Sequence, residues 1–204
     1  MLDKYYDKAI LDATNSLLDN GVIVVPTDTV YGLACLSSSK EGIERIYQIK
    51  NRDKDKPLPI IVDSYKMLKK VIDVDFNIIE KLSKFYPGAL TIVCKKREDF
   101  DYFEAKTVAV RMIKNPLVNK IIESVNEPLV LTSANISDEE NITNPFDLLE
   151  VFDGVVDCVF IDNNVKGVES TIVEILDDGS LRLLRDGKIP FEKIEKEYNF
   201  HGWI

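Results

Sequence analysis

The chain has 204 residues, 45% of them hydrophobic and 30% charged, and a formal net charge of -9. That length accommodates one substantial α/β domain and is short for two; no stretch approaches the roughly 18 apolar residues of a membrane span. The acidic balance argues against a broad nucleic-acid-binding surface. The acidic start, Met1 to Asp7, lacks the basic-then-apolar order of a signal peptide, so a cytoplasmic protein with no membrane partner is expected.

In chain order, apolar residues at Tyr6, Ala9, Ile10, Ala13, Leu17 and Leu18 predict a helix over 4–20, stopped by Asn20-Gly21. The branched run Val22–Val25 predicts a buried strand, followed by a polar turn through Thr27-Asp28-Thr29 and Tyr31-Gly32. Ser37–Ser39 offer caps for a helix with inner face Ile43, Ile46, Tyr47 and Ile49. A strand is expected at 58–62, with Pro59 at its start or on an edge. Helices follow at 64–72 and 75–85, broken by Pro87-Gly88, then strands at 90–94 and 107–110. A helix over 116–125 leads to a strand at 129–132, and Pro145 opens another helix over 144–152. Strands are expected at 158–161, 170–175 and 181–184, the last two joined by an Asp177-Asp178-Gly179 hairpin, with a final helix over 190–198. A single domain spanning 1–204, with a twisted mixed parallel/antiparallel sheet flanked by helices, fits this order.

Three widely spaced cysteines (Cys35, Cys94 and Cys158) read as buried thiols, and one histidine, His201, argues against a zinc site or an imidazole-based triad. Within 40–70 there are nine Lys/Arg and five Asp/Glu. A positive region on an acidic body suits a small anionic ligand, with a limited RNA contact left open. Lys50, Arg52 and Lys56 combine point charges with a planar fork, as a triphosphate requires; they also fit a solvated basic helix end. Thr27-Asp28-Thr29 reads either as a turn capped by its own hydroxyls or as a ligand-facing strand end. Leu131-Thr132-Ser133-Ala134-Asn135, Val110-Arg111, Glu169-Ser170-Thr171 and Arg185-Asp186-Gly187 repeat the pattern of polar groups beside buried strands. Their recurrence points to one converging polar cavity, gripped by neither a Walker loop nor a Rossmann glycine fingerprint.

The strings VVPTDTVYGL, IKNRDKDKP, YPGALTIV, VAVR, LTSAN, GVESTIVEI and LLRDG, in that order, closely resemble the YrdC/TsaC family of threonylcarbamoyl-AMP synthases, from about Gly21 to Gly187. The resemblance implies a YrdC-like domain whose nucleotide-site signature falls on Lys50, Arg52, Ser133 and Asn135. It implies ATP contacts at Arg52, Lys56, Thr107, Ser133, Asn135, Asn141 and Arg185. It implies L-threonine contacts at Thr29, Tyr31, Arg111, Leu131 and Ser170, with Arg111 on the substrate carboxylate. Lys50 and Arg52 would stabilise charge, with no protein nucleophile. The implied reaction joins L-threonine, bicarbonate or CO2, and ATP into threonylcarbamoyl-AMP and pyrophosphate, the first step of N6-threonylcarbamoyladenosine modification of tRNA. Mg2+ would enter with ATP, no metal ligand being identifiable in the protein, and the adenylate would pass to a tRNA-modifying transferase. Other family members leave open two alternatives: a double-stranded-RNA-binding module, or a carbamoyl-adenylate-forming domain of hydrogenase maturation.

Overall fold

The expected opening helix forms as α1, Leu2–Leu18, in a computed structural model that describes residues 2–135, 140–161, 165 and 167–200; His201 lies outside them. Asn20 adopts a left-handed conformation (φ 60°), and the Gly21 N–H donates to Ser16 O at 2.8 Å, closing the last turn. The buried stripe of α1 is narrower than its spacing suggested. Ala13 and Leu17 are fully buried, whereas Tyr6 and Leu18 are exposed.

Strand β1 (Ile23–Pro26) leads into an element the sequence reading lacked. Tyr31–Leu36 forms strand β2, antiparallel to β1 with Pro26 opposite Tyr31. The turn therefore falls at 27–30, not at Tyr31-Gly32. Thr27 Oγ1 donates to Val30 O at 2.6 Å and accepts the Thr29 and Val30 N–H groups at 3.1 Å, so a hydroxyl makes the turn. Gly32 answers a different need. A Cβ there would stand 2.5 Å from Leu131 Cδ2, so only glycine lets β2 share that space with the Leu131 side chain.

The remaining strands are β3 (Ile60–Val62), β4 (Leu90–Lys95), β5 (Thr107–Met112), β6 (Leu129–Ser133), β7 (Cys158–Val159), β8 (Thr171–Ile175) and β9 (Leu181–Arg185). They form one mixed sheet in the order β7-β1-β2-β6-β3-β5-β4-β8-β9, as the expected fold class requires. Pro59 stands just before β3, where its missing N–H costs nothing, and its carbonyl accepts the Leu131 N–H at 3.0 Å. The β8–β9 hairpin turns at Gly179 (φ 79°), with Asp178 Oδ1 accepting the Ser180 N–H at 2.9 Å.

Helix α2 (Lys40–Lys50) starts on the Ser39 hydroxyl, which accepts the Gly42 N–H. Helices α3 (Tyr65–Val71) and α4 (Phe76–Lys81) follow; α4 is shorter than expected because the chain passes into turns before the cis Tyr86–Pro87 bond. Helices α5 (Pro116–Val125) and α6 (Pro145–Phe152) each begin on an asparagine cap with proline in the first turn. Helix α7 (Phe191–Phe200) comes last. α1 packs on β1, β2 and α5, and α2 packs on β2. Among the described residues no helix is long and apolar enough to cross a membrane. Cys35 and Cys94 are buried, and burial raises both thiols to about 12, so they behave as core residues.

Alternation along the central strands positions the site. On β4 and β5, Leu90, Ile92, Cys94, Val108, Val110 and Met112 sit in the core. Thr91, Val93, Ala109 and Arg111 face the other way, into an open cavity. Each fully buried aliphatic side chain contributes about 1.5–3 kcal/mol, so a one-residue slip would exchange core for cavity and is strongly disfavoured.

Candidate active site

The open sheet face floors a cavity of about 640 Å³. Its walls are the 27–30 turn, the segment after α2, the end of β6, the residues leading into β8 and the end of β9. Of the sequence-predicted site residues, Thr29, Lys50, Arg52, Lys56, Arg111, Leu131, Ser133, Asn135, Asn141, Ser170 and Arg185 all line it. Thr107 and Tyr31 do not. Thr107 is exposed at the start of β5, on the same strand face as Ala109 and Arg111. Tyr31 is buried in β2, and its carbonyl accepts the Ala134 N–H at 2.7 Å, tying β2 to the end of β6.

Arg111 anchors one end. It is 5% exposed and donates from Nε to Gly88 O at 2.9 Å, from Nη1 to Thr29 Oγ1 at 2.9 Å, and from Nη2 to Asp28 Oδ1 at 2.7 Å. Burial lowers its pKa from the ordinary arginine value and the Asp28 carboxylate opposes that shift. A guanidinium has five N–H donors, so two remain for a ligand oxygen. Asp28 was not assigned from the sequence. Its carboxylate orients Arg111, and its backbone carbonyl accepts a hydrogen bond from the Lys188 ammonium. Thr27 was likewise read with its turn and given no separate role. Because the Thr27 hydroxyl donates to Val30 O, Thr29 is the donor in the 2.9 Å contact between the two threonines. Thr29 thus keeps a lone pair, and no hydrogen, for a ligand.

The Lys50 ammonium is 2% exposed and donates to Ser133 O at 2.6 Å, Asn135 O at 2.6 Å and Asn135 Oδ1 at 2.9 Å. Ser133 Oγ donates to Asn135 Oδ1 at 2.6 Å. These contacts use all three ammonium hydrogens, so Lys50 acts by fixing the Ser133–Asn135 wall. The Lys50, Ser133 and Asn135 pattern seen in the sequence is one hydrogen-bonded unit.

The remaining cations of the lining, Arg52, Lys56 and Arg185, are more exposed. Arg52 is half-exposed and donates from Nε to Lys56 O at 3.1 Å. The backbone it leans on is held by two tyrosines: Tyr47 OH donates to Lys56 O at 3.0 Å and Tyr102 OH to Leu58 O at 2.7 Å. Arg185 donates from Nη1 to Glu169 Oε2 at 2.6 Å and from Nη2 to Ser170 O at 3.0 Å. Asn141 Oδ1 is buried without a partner among the described residues, an acceptor open to a donor. Among the described residues the lining holds five cations (Lys50, Arg52, Lys56, Arg111, Arg185) against two carboxylates, Asp53 and Glu169. That excess sits on a chain of net charge -9, so the field converges on the cavity. No cluster of three or more metal-ligating side chains occurs among the described residues.

The fold and cavity define an α/β domain with a cation-lined cavity on the open face of its sheet. The chain belongs to the Sua5/YciO/YrdC family, whose model, described as "Telomere recombination", matches residues 15–187. It is 33% identical over 189 residues to the threonylcarbamoyl-AMP synthase of Pyrococcus abyssi, covering 90% of this chain and 55% of that protein. It is 33% identical over 196 residues to the threonylcarbamoyl-AMP synthase of Bacillus subtilis, covering 93% of this chain and 56% of that one. The crystal structure of P. abyssi Sua5 complexed with L-threonine superposes with a TM-score of 0.84 at 33% identity, over 92% of this chain and 56% of the other. The chain thus spans about half the length of these relatives.

Proposed function

We propose that the protein is an L-threonylcarbamoyladenylate synthase, a nucleotidyltransferase that uses MgATP, L-threonine and bicarbonate or CO2. The observation that carries this reading is one cavity with two unlike ends. At one end, the buried Arg111, Thr29 and Ser170 suit a small amino acid. At the other, Arg52 and Lys56 suit the phosphates of a nucleoside triphosphate, and Arg185 and Asn141, beside Ser170 and Gly167, stand where the two ligands would meet. The threonine nitrogen attacks the carbon of CO2 and loses a proton, giving a carbamate. A carbamate oxygen then attacks the α-phosphorus, and the bond to pyrophosphate breaks. Such a step calls for positioning and charge stabilisation, without a protein nucleophile. Arg52 and Lys56 face the developing charge on the phosphates, while Lys50 holds the Ser133–Asn135 wall in register. Mg2+ would enter with the triphosphate and offset its charge; the carboxylates of the described lining are Asp53 and Glu169, the latter engaged by Arg185. The adenylate is then consumed by a transferase that modifies tRNA, in the cytoplasm.

The test is pyrophosphate release by purified protein supplied with MgATP, bicarbonate and single amino acids. Release that requires both threonine and bicarbonate is expected. No release with any amino acid would sink the assignment and favour an RNA-binding role; release with carbamoyl phosphate in place of threonine and bicarbonate would favour the hydrogenase-maturation type.

A further inference from the structure

Thr91 is a polar residue in the apolar strand Leu90-Thr91-Ile92-Val93-Cys94. It is 3% exposed and lines the cavity. Valine has the same shape and an equal or better strand propensity, and a buried hydroxyl costs free energy unless it is paired. The hydroxyl therefore needs a reason beyond packing. Its partner is Ser170 Oγ, at 2.8 Å across to the residue that leads into β8. Ser170 is itself 5% exposed and lines the cavity too.

Counting hydrogens gives the pair a direction. Two hydroxyls carry two hydrogens, and their mutual bond uses one. Arg185 Nη2 lies 3.5 Å from Ser170 Oγ and donates toward it, so the pair accepts from the nucleotide side and keeps one O–H to give. Thr29, at the other side of Arg111, has the opposite character, with a lone pair and no hydrogen to offer. Arg111 between them has two unused N–H groups. The ligand end thus presents donors on the Arg111–Thr91–Ser170 side and an acceptor on the Thr29 side. An amino acid has this polarity, with an anionic carboxylate at one point and an N–H-bearing nitrogen at another.

We propose that Thr91 is a positioning residue of the amino-acid subsite: it fixes the Ser170 hydroxyl so that the pair directs its remaining hydrogen at the carboxylate of the bound amino acid. This rests on the synthase reading above. It also gives a role to the contact between Arg185 and its neighbour Ser170, where the two ligands would meet.

The experiment is titration calorimetry of L-threonine, and separately of a non-hydrolysable ATP analogue, into the unaltered protein, Thr91→Val and Thr91→Ser, with thermal unfolding of each. A lost hydrogen bond to a charged group corresponds to roughly tenfold in affinity. Thr91→Val should therefore weaken threonine about tenfold and leave the nucleotide analogue within about twofold. Thr91→Ser, which keeps the hydroxyl, should restore threonine binding. Thr91→Ala serves the same comparison should the valine variant fail to fold. Threonine affinity unchanged in Thr91→Val, an equal weakening of both ligands, or no rescue by serine would each overturn the inference. Failure of the unaltered protein to bind threonine would overturn the synthase reading and this inference with it, so the two failures are told apart.

Discussion

Arg111 and Arg52 lie in the same cavity, yet the molecule holds them in different ways. Arg111 is buried and met by a carboxylate and a hydroxyl from the 27–30 turn and by a carbonyl from a second segment, at Gly88. Arg52 is half-exposed and rests on a carbonyl four residues further along its own loop. A buried fork with fixed partners supplies geometry, which suits a small ligand recognised by the placement of a few atoms. An exposed cation supplies field and reach, which suits a flexible polyanion. The desolvation cost is concentrated where discrimination is needed, and left low where charge alone suffices.

The sharpest way to break this contrast is Arg111→Ala. It removes the fork and leaves Asp28 without its ion-pair partner. Threonine-dependent activity should fall by roughly 100-fold or more. Folding stability should fall by about 3 kcal/mol, near the low end for breaking a buried pair because Asp28 keeps some solvent contact; chemical denaturation would report it. Arg52→Ala should behave differently, with KM for ATP raised about tenfold and the denaturation midpoint unmoved. Salt comes next in size. Raising ionic strength from about 0.1 M to about 1 M shortens the Debye length from about 10 Å to about 3 Å. Nucleotide affinity should then fall several-fold while threonine affinity changes less than about twofold; equal losses would show that burial does not separate the two ends. The smallest effect expected is that of Tyr102→Phe. Losing the bond to the buried Leu58 carbonyl should cost about 1 kcal/mol of stability and raise KM for ATP a few-fold, with KM for threonine unchanged.

Much of this was legible in the chain. Apolar runs announced β1, β4 and β6, and Pro145 announced the start of α6. The basic cluster at 50–56 and the polar strand ends converge in one cavity, as their recurrence suggested. β2 was missed because Gly32 looked like turn chemistry, when it relieves a side-chain collision with Leu131. That reason depends on a strand about a hundred residues away and has no local signature. Thr27, Asp28 and Thr91 were passed over on similar grounds. Their roles lie in the hydrogens they give to or take from Val30, Arg111 and Ser170, and hydrogen bonds between distant strands leave no spacing to read. Lys50 illustrates the limit from the other side: its position in the site was readable, but its three protein acceptors were not.

If the cavity has two separable ends, threonine and nucleotide respond to different substitutions. Threonine and a non-hydrolysable ATP analogue are titrated separately into Arg111→Ala and Arg52→Ala, each first shown to be folded. Arg111→Ala should lose threonine binding and keep the nucleotide, and Arg52→Ala should weaken the nucleotide and keep threonine. Loss of both ligands in a folded single variant would contradict the division of the site.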